Sequence, residues 1–304
     1  MTTLVTGASG FLAAPLCARL RREGAHVTGS DVRAPGAGRT DAWHGADLLD
    51  AAAAEALVRA TTPTTVYHLV GAVRGDDALV HATNVTTTQH LLRAVQRHAP
   101  AARVVVVGSA AEYGSVPAAS QPVTEAYVGA PTSAYGRAKC AVTALATAAV
   151  REGLAVLIAR PFNVIGAGVP PTLVVGAIVA RLQAALAGAS PRAITVGPTS
   201  AVRDFIDVED VVAGLHAIAR LGTPGEAYNL CSGAGHQIVD VLARLLALAE
   251  APVEVQADAT LAAAGVDALI GSHEKATRAL DWRPVVSLDM SLRAAWASAA
   301  AVVA

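Results

Sequence analysis

The chain has 304 residues, 53% of them hydrophobic and only 15% charged, with a mean hydropathy of +0.46. That composition excludes a disordered or solvating chain and implies a buried core, in one large α/β domain or in a domain with a smaller lobe. Twenty-three basic against 24 acidic residues leave a formal net charge of -1, so no global field attracts a polyanion and a nucleic-acid partner is not expected.

Short β-branched runs at 3–6, 26–29, 65–69, 103–107 and 155–159 alternate with Ala/Leu-rich helical runs at 11–23, 51–60, 85–98 and 134–152. This alternation predicts a doubly wound parallel sheet of the Rossmann kind. Val104-Val105-Val106-Val107 has no polar face and reads as a central strand covered on both sides. After Pro161 the rhythm loosens and Gly, Pro and Asn accumulate. The expected organisation is a dinucleotide-binding domain over 1–162 and, over 163–304, mainly a smaller C-terminal α/β substrate-binding lobe, with some elements near 203–230 returning to the first domain. The short Pro/Gly segment at 34–38 is the nearest thing to a linker.

Two stretches lack charge, 1–18 and 161–180. Gly7, Gly10 and Pro15 interrupt the first, and Asn163, Gly166, Gly168, Pro170 and Pro171 the second, so neither reads as a membrane span or signal peptide. Cys17, Cys140 and Cys231 are odd in number and lack metal-ligand spacing, as reduced thiols do. A cytoplasmic protein without a membrane partner is expected. The nine histidines show no ligand pair at metal spacing, so no metal site is expected, and His68 reads as a strand residue near a cofactor.

At the first strand-to-helix junction stands Thr6-Gly7-Ala8-Ser9-Gly10-Phe11-Leu12-Ala13. Gly7 permits a tight turn, Gly10 lets backbone N–H groups approach a pyrophosphate, and the small Ala13 lets the helix pack close to the strand. Asp31, ending the second strand, suits the ribose hydroxyls of an adenosine and repels a 2′-phosphate, which favours NAD; Arg33 two residues on keeps NADP open. Asp47-Leu48 offers a carboxylate to an adenine edge, and a helix N-cap is the competing role for Asp47.

Tyr135-Gly-Arg-Ala-Lys139 places a phenol and an ammonium on one face of a helix. A neighbouring cation lowers a tyrosine pKa, so Tyr135 can exchange a proton with a carbinol oxygen. Lys139 would also reach the nicotinamide ribose. Ser109 follows the valine strand at the carboxyl end, where such sheets bind ligands, and its hydroxyl can orient the reacting oxygen; a turn or cap is its ordinary alternative.

With Asn84 and Arg160-Pro161-Phe162-Asn163, these motifs stand in the order found in extended short-chain dehydrogenases/reductases, which the chain resembles over nearly its whole length. The segments 108–114, 160–166, 201–208, 228–233, 269–272 and 282–284 are similar to those of GDP-6-deoxy-4-keto-D-mannose reductases, the enzymes that make GDP-D-rhamnose. The resemblance implies Ser109, Tyr135 and Lys139 as catalytic residues. It implies a cofactor site of Gly7, Ser9, Gly10, Phe11, Leu12, Asp31, Val32, Arg33, Asp47, Leu48, Leu69, Val70, Gly71, Asn84, Tyr135, Lys139, Pro161, Asn163 and Val164. On the substrate it implies Ser109, Ala110, Tyr135, Asn163, Val174 and Arg203, with Asn84 anchoring a water and backbone network beside Lys139 and Arg203 clamping a diphosphate. A salt bridge to Asp204 or Asp207 is the competing role for Arg203.

The implied substrate is a nucleotide sugar or nucleoside, and the implied reaction is reduction of a nucleotide-linked 4-keto-6-deoxyhexose. Internal redox cycling, as in an epimerase or an unusual dehydratase, is the alternative. A non-catalytic dinucleotide-binding protein is disfavoured because both Tyr135 and Lys139 are present. A homodimer through the helices near 85–98 and 135–150 is also implied, since 140–150 carries no charge and needs cover. Three positions depart from the family. Ala110 and Ala111 stand where similar dehydratases carry an acid, with Glu112 displaced and expected to face away. Ala262 stands near where a second diphosphate-binding arginine is common, and Ala167 replaces a proline.

Overall fold

The computed structural model describes residues 2–34, 38–188, 192–258 and 267–303. Position 262 and most of the expected linker at 34–38 lie outside them. The chain runs β1 (Thr2–Thr6), α1 (Ala13–Arg22), β2 (His26–Asp31), β3 (Ala42–Gly45), α2 (Ala51–Thr61), β4 (Thr65–His68), α3 (Asp77–His81), α4 (Thr87–His98), β5 (Arg103–Val107), α5 (Ala134–Arg151) and β6 (Ala155–Pro161). It continues with β7 (Asn163–Ile165), α6 (Val174–Ala187), β8 (Ala193–Val196), β9 (Val202–Asp207), α7 (Val208–Leu221), β10 (Ala227–Leu230), β11 (Gly235–Gln237), α8 (Ile238–Leu248), β12 (Glu254–Ala257), β13 (Ala268–Leu269), α9 (Glu274–Leu280) and α10 (Leu288–Val303).

Seven parallel strands form the main sheet in the order β10-β6-β5-β4-β1-β2-β3. The order reverses between β1 and β4, and the crevice at such a reversal is where doubly wound sheets take their ligands. The valine run behaves as its composition requires. Val104 and Val106 face Leu57, Leu91, Val142 and Ile158 in one buried cluster, while Val105 joins Leu16, Leu157, Leu215 and Ile218 in the cluster on the opposite face. Both faces are therefore dry, and each valine adds about 1.5–3 kcal/mol by leaving water.

Two elements differ from expectation. The short β3, which extends the sheet at its far edge, has little sequence signal because Ala42-Trp43-His44-Gly45 lacks a β-branched residue. The helix expected over 85–98 is preceded by α3 and a π-helical turn at Ala82–Thr86. There the Thr87 and Thr88 hydroxyls donate to the carbonyls of Thr83 and Asn84, both at 2.6 Å, and such back-bonding competes with the regular helical ladder. Within the 203–230 stretch, α7 and β10 join the main sheet. By contrast β9 centres a smaller sheet, pairing with β7 and β13 in parallel and with β11 in antiparallel register. A third apolar cluster, including Ile178, Phe205, Val241, Leu245 and Leu292, fills the region behind this sheet.

The smaller sheet is tied to the main one by Asp204, which is fully buried. Its carboxylate accepts from Ser232 N at 2.8 Å, Ser232 Oγ at 2.6 Å, Gly233 N at 3.0 Å and Gly271 N at 3.1 Å. Burial raises its pKa and these donors lower it. Replacing Asp204 by Ala strands the donors in a dry site, and we expect a loss of about 3 kcal/mol or more in urea unfolding, against less than about 0.5 kcal/mol for Asp289→Ala on the surface.

Candidate active site

The turn between β1 and α1 is shaped for a phosphate. Gly7 has φ +70, and a Cβ there would lie 2.8 Å from Leu69 C and Val70 N, so only glycine lets β1 turn this close to the end of β4. Gly10 N donates to Gly7 O at 2.9 Å, and no side chain caps the first N–H groups of α1. Helix N–H groups left open at a glycine turn fit a dinucleotide pyrophosphate. Asp31, ending β2, is already bonded: Oδ2 accepts from Ser9 Oγ at 2.6 Å and Ser9 N at 3.2 Å, and Oδ1 from Val32 N at 2.7 Å. Each carboxylate oxygen keeps further lone-pair capacity for a ribose hydroxyl.

Ser109 is placed by a turn. It leaves β5 and caps a 3-10 turn at Ala110–Glu112, its Oγ accepting from Ala111 N at 3.1 Å while Glu112 Oε1 accepts from Ser109 N at 2.9 Å. The α5 helix starts at Ser133, whose Oγ accepts from Gly136 N at 3.0 Å, and this sets Tyr135 in the first turn and Lys139 one turn deeper. Lys139 Nζ donates to Val107 O at 2.9 Å and lies 5.6 Å from the Tyr135 ring centroid. Burial pushes the Lys139 ammonium down to about 8, opposed by the negative charge of Glu112.

The tyrosine differs from expectation. Burial pushes the Tyr135 phenol up to about 12; the neighbouring Ser109 hydroxyl lowers it and the Glu112 charge adds to the rise. Lys139 is committed to the Val107 carbonyl, and the anticipated lowering by the ammonium does not prevail. A phenol that keeps its proton at neutral pH is nonetheless a ready proton donor. Asn84 is fully buried with Nδ2 donating to Ala72 O and Val80 O, while its Oδ1 has no partner. A Cβ on Gly71 would lie 2.8 Å from that oxygen and 3.3 Å from Lys139 Nζ, so the three groups meet in one polar spot.

Glu112 faces away from the groove, within a 3-10 turn rather than the extended segment expected. Its Oε2 accepts from Thr143 Oγ1 at 2.8 Å and Arg160 Nε at 3.1 Å, with Arg160 Nη2 at 3.0 Å. Thus no free carboxylate stands behind Ser109. Arg203, on β9, is also not paired with Asp204 or Asp207: Asp204 is caged as described and Asp207 Oδ1 caps α7 through Glu209 N at 2.8 Å. The Arg203 guanidinium donates to Val202 O at 2.8 Å, and burial lowers its pKa. Asn163 Nδ2 donates to Asp204 O at 2.8 Å, which fixes its amide beside β9.

A cavity of about 690 Å³ runs from the glycine turn to this region, a volume in the range of small-ligand sites. It brings together Gly7, Gly10, Phe11, Leu12, Leu69, Gly71, Ser109, Ala110, Tyr135, Lys139, Pro161, Asn163, Val164, Val174 and Arg203. Outside its wall lie Ser9, Asp31, Val32, Arg33, Asp47, Leu48, Val70 and Asn84. Asp47 does not cap α2, since Asp50 does; its Oδ1 accepts from Leu49 N at 2.9 Å. Buried Leu48 presents its carbonyl to His90 Nδ1 at 3.0 Å. His68, expected near a cofactor, is buried between Thr6 and Thr88 at 2.7 and 3.1 Å, away from the wall, and burial pushes it down to about 3. Thr172 on the wall lies in the loop and helix over 169–181 that the resemblance assigns to enclosing the base, whereas sequence reasoning missed Arg74, Thr132, Ser133 and Phe205. Arg74 alone carried a signal, being a charged residue just past the strand that ends at the reversal. Among the described residues no group of three or more His, Cys, Asp or Glu clusters as a metal site.

Residues 3–231 match the model of the NAD dependent epimerase/dehydratase family. The chain belongs to that family. Its members work with a nicotinamide dinucleotide, and the turn, the open α1 terminus and the unpartnered Asn84 oxygen fit one. Among curated relatives, GDP-6-deoxy-D-mannose reductase of Pseudomonas aeruginosa is 30% identical over 190 residues, which is 62% of this chain and 62% of that protein. The dTDP-6-deoxy-L-talose 4-dehydrogenase (NAD(P)(+)) of Kitasatospora kifunensis is 29% identical over 255 residues, 83% of this chain and 80% of that protein. The solved structure of RMD from Pseudomonas aeruginosa complexed with NADPH superposes with a TM-score of 0.87 at 27% identity, covering 99% of this chain and 100% of that one. The chain is thus an NAD(P)-dependent enzyme of the epimerase/dehydratase family.

The Lys139 ammonium is charged below about pH 8 and neutral above it. If its charge serves the reaction, kcat/KM falls as pH rises through that value, about tenfold per unit. Lys139→Met should be slow throughout and should lack this alkaline limb in a pH-rate profile.

Proposed function

We propose that the protein reduces the ketone of a nucleotide-linked 4-keto-6-deoxyhexose with NADH or NADPH. The observation that carries this reading is the convergence of Ser109, Tyr135 and Lys139 with the glycine turn and with Asn163, Val174 and Arg203 on one cavity wall. The similarity to GDP-6-deoxy-D-mannose reductase supports the reaction type.

A dinucleotide held at the glycine turn would supply the hydride for the carbonyl carbon. Tyr135, protonated at neutral pH, donates its proton to the carbonyl oxygen, and Ser109 Oγ orients that oxygen. Lys139 holds positive charge beside the phenol, so the tyrosinate left after transfer is stabilised. Arg203 and Asn163 bind the nucleotide end, a guanidinium being the natural bidentate partner of phosphate oxygens. The pinned Asp31 would accept from the adenosine ribose, which favours NADH, with exposed Arg33 beside it for a 2′-phosphate. Dehydratase chemistry is disfavoured because Ala110 and Ala111 carry no acid and Glu112 is bound to Arg160.

The outer face of α5 leaves Ala144 and Ala148 exposed within its charge-free run, and we place a homodimer contact there and on α4. The three free thiols suit a reducing compartment, the cytoplasm.

Loss of 340 nm absorbance on mixing NADH or NADPH with 4-keto-6-deoxy sugar nucleotides tests the reading. Turnover without added reduced coenzyme would point instead to internal cycling, and no turnover with any such ketone would refute the reductase. Tyr135→Phe is expected to lower kcat by about 10²–10⁴-fold while leaving dinucleotide affinity within about twofold. Unchanged activity in that variant would remove the proton-transfer role.

A further inference from the structure

The charge on the cavity wall is of one sign. Arg74, Lys139 and Arg203 line it, and among the described residues no Asp or Glu does. Lys139 is occupied by the Val107 carbonyl beside Tyr135, and Arg203 projects from the smaller sheet. Arg74 comes from the loop between β4 and α3, three residues past Gly71, and reaches across to the other side: its Nε donates to Thr172 O at 3.1 Å, just before α6. The two terminal guanidinium nitrogens have no hydrogen bond or ion pair with any described residue. The nearest acids in sequence are committed elsewhere, Asp76 to the N-terminus of α3 and Asp77 to Arg137 at 3.1 Å. Arg74 is therefore a cation at the groove with its fork half used.

We propose that Arg74 is a substrate-binding residue that, together with Arg203, holds the diphosphate of the nucleotide-linked substrate; this rests on the reading of the function given above. The dinucleotide's own diphosphate is served by the open backbone N–H groups at the glycine turn. A second diphosphate brings about two negative charges into a wall that is mostly apolar, and one guanidinium leaves one of them uncompensated. Arg74 supplies the other. With Nε kept on Thr172, its two terminal nitrogens can face phosphate oxygens in the fork geometry that guanidinium offers and lysine does not. The same contact ties the β4–α3 loop to the residues just before α6.

Titration calorimetry on the full chain with GDP, UDP and dTDP, and with the matching uncharged nucleosides, tests this. For the diphosphate that wild type holds best, Arg74→Met should weaken binding about tenfold or more and Arg74→Lys by an intermediate amount, with nucleoside binding unchanged. NADH and NADPH affinities, read by fluorescence, should stay within twofold in both variants. Undiminished diphosphate binding in Arg74→Met overturns the proposal while the reductase reading stands, and an equal loss for the dinucleotides also overturns it. Should wild type bind none of the diphosphates, both fall together. If Arg74→Met does not fold, Arg74→Lys decides through the same comparison, since lost fork geometry must still weaken the diphosphate selectively.

Discussion

The carboxylate of Glu112 is the point at which three elements of the groove are held in register. One oxygen takes the N–H of Ser109, and the other takes Thr143 on α5 and Arg160 at the end of β6. Ser109 leaves β5, Tyr135 and Lys139 ride on α5, and Pro161 ends β6 with Asn163 just beyond it, so the groove's reacting face is indexed to this one buried charge. Only 3% of Glu112 is exposed, and an ion so placed is tolerable only when paired and fully hydrogen-bonded. Arg160 meets that condition, and it is itself steadied by Tyr113, whose hydroxyl accepts from Nη1 at 3.3 Å and donates to Asn229 Oδ1 at 2.7 Å. The chain thus carries a carboxylate within a few residues of the reacting site and withholds it from the chemistry.

A comparable arrangement governs the other wall. Asp204 and Arg203 are neighbours on β9 and point to opposite sides of it, as alternate strand residues do. The carboxylate is consumed by backbone and serine donors from two loops, and so cannot neutralise the guanidinium. An ion pair between them would have been the simpler outcome. Its absence leaves cationic character in the groove, and the position of that charge is fixed by β9 pairing with β7 on one stretch and β13 on another.

Much of this was legible in the sequence, for reasons that can be named. The valine strand, the glycine turn and the Tyr135/Lys139 spacing are local patterns, and each is set by steric or periodic rules that act within a few residues. Long-range partners were not legible. The commitment of Asp204 to Ser232 and Gly271, of Glu112 to Arg160 and of Arg74 to Thr172 joins residues tens of positions apart, and only the folded chain decides which of several acids each cation meets. The tyrosine shows the same limit. Spacing along a helix puts an ammonium near a phenol, but burial and the Val107 carbonyl decide which effect is larger. The π-helical turn before α4 escaped because threonines are common in ordinary helices, and only their hydroxyl bonds to the preceding turn reveal the distortion.

His68 carries a last consequence. It joins β1 to the first turn of α4 as a neutral ring, accepting and donating between two threonines beneath the glycine turn. Unfolded, the imidazole takes up a proton near pH 6.5, whereas in the folded chain it resists until about 3. The folded-state pKa of a base is depressed, so the stability it contributes is complete above 6.5 and drains away as acidity rises toward 3. Mild acid would therefore loosen the floor under the dinucleotide platform.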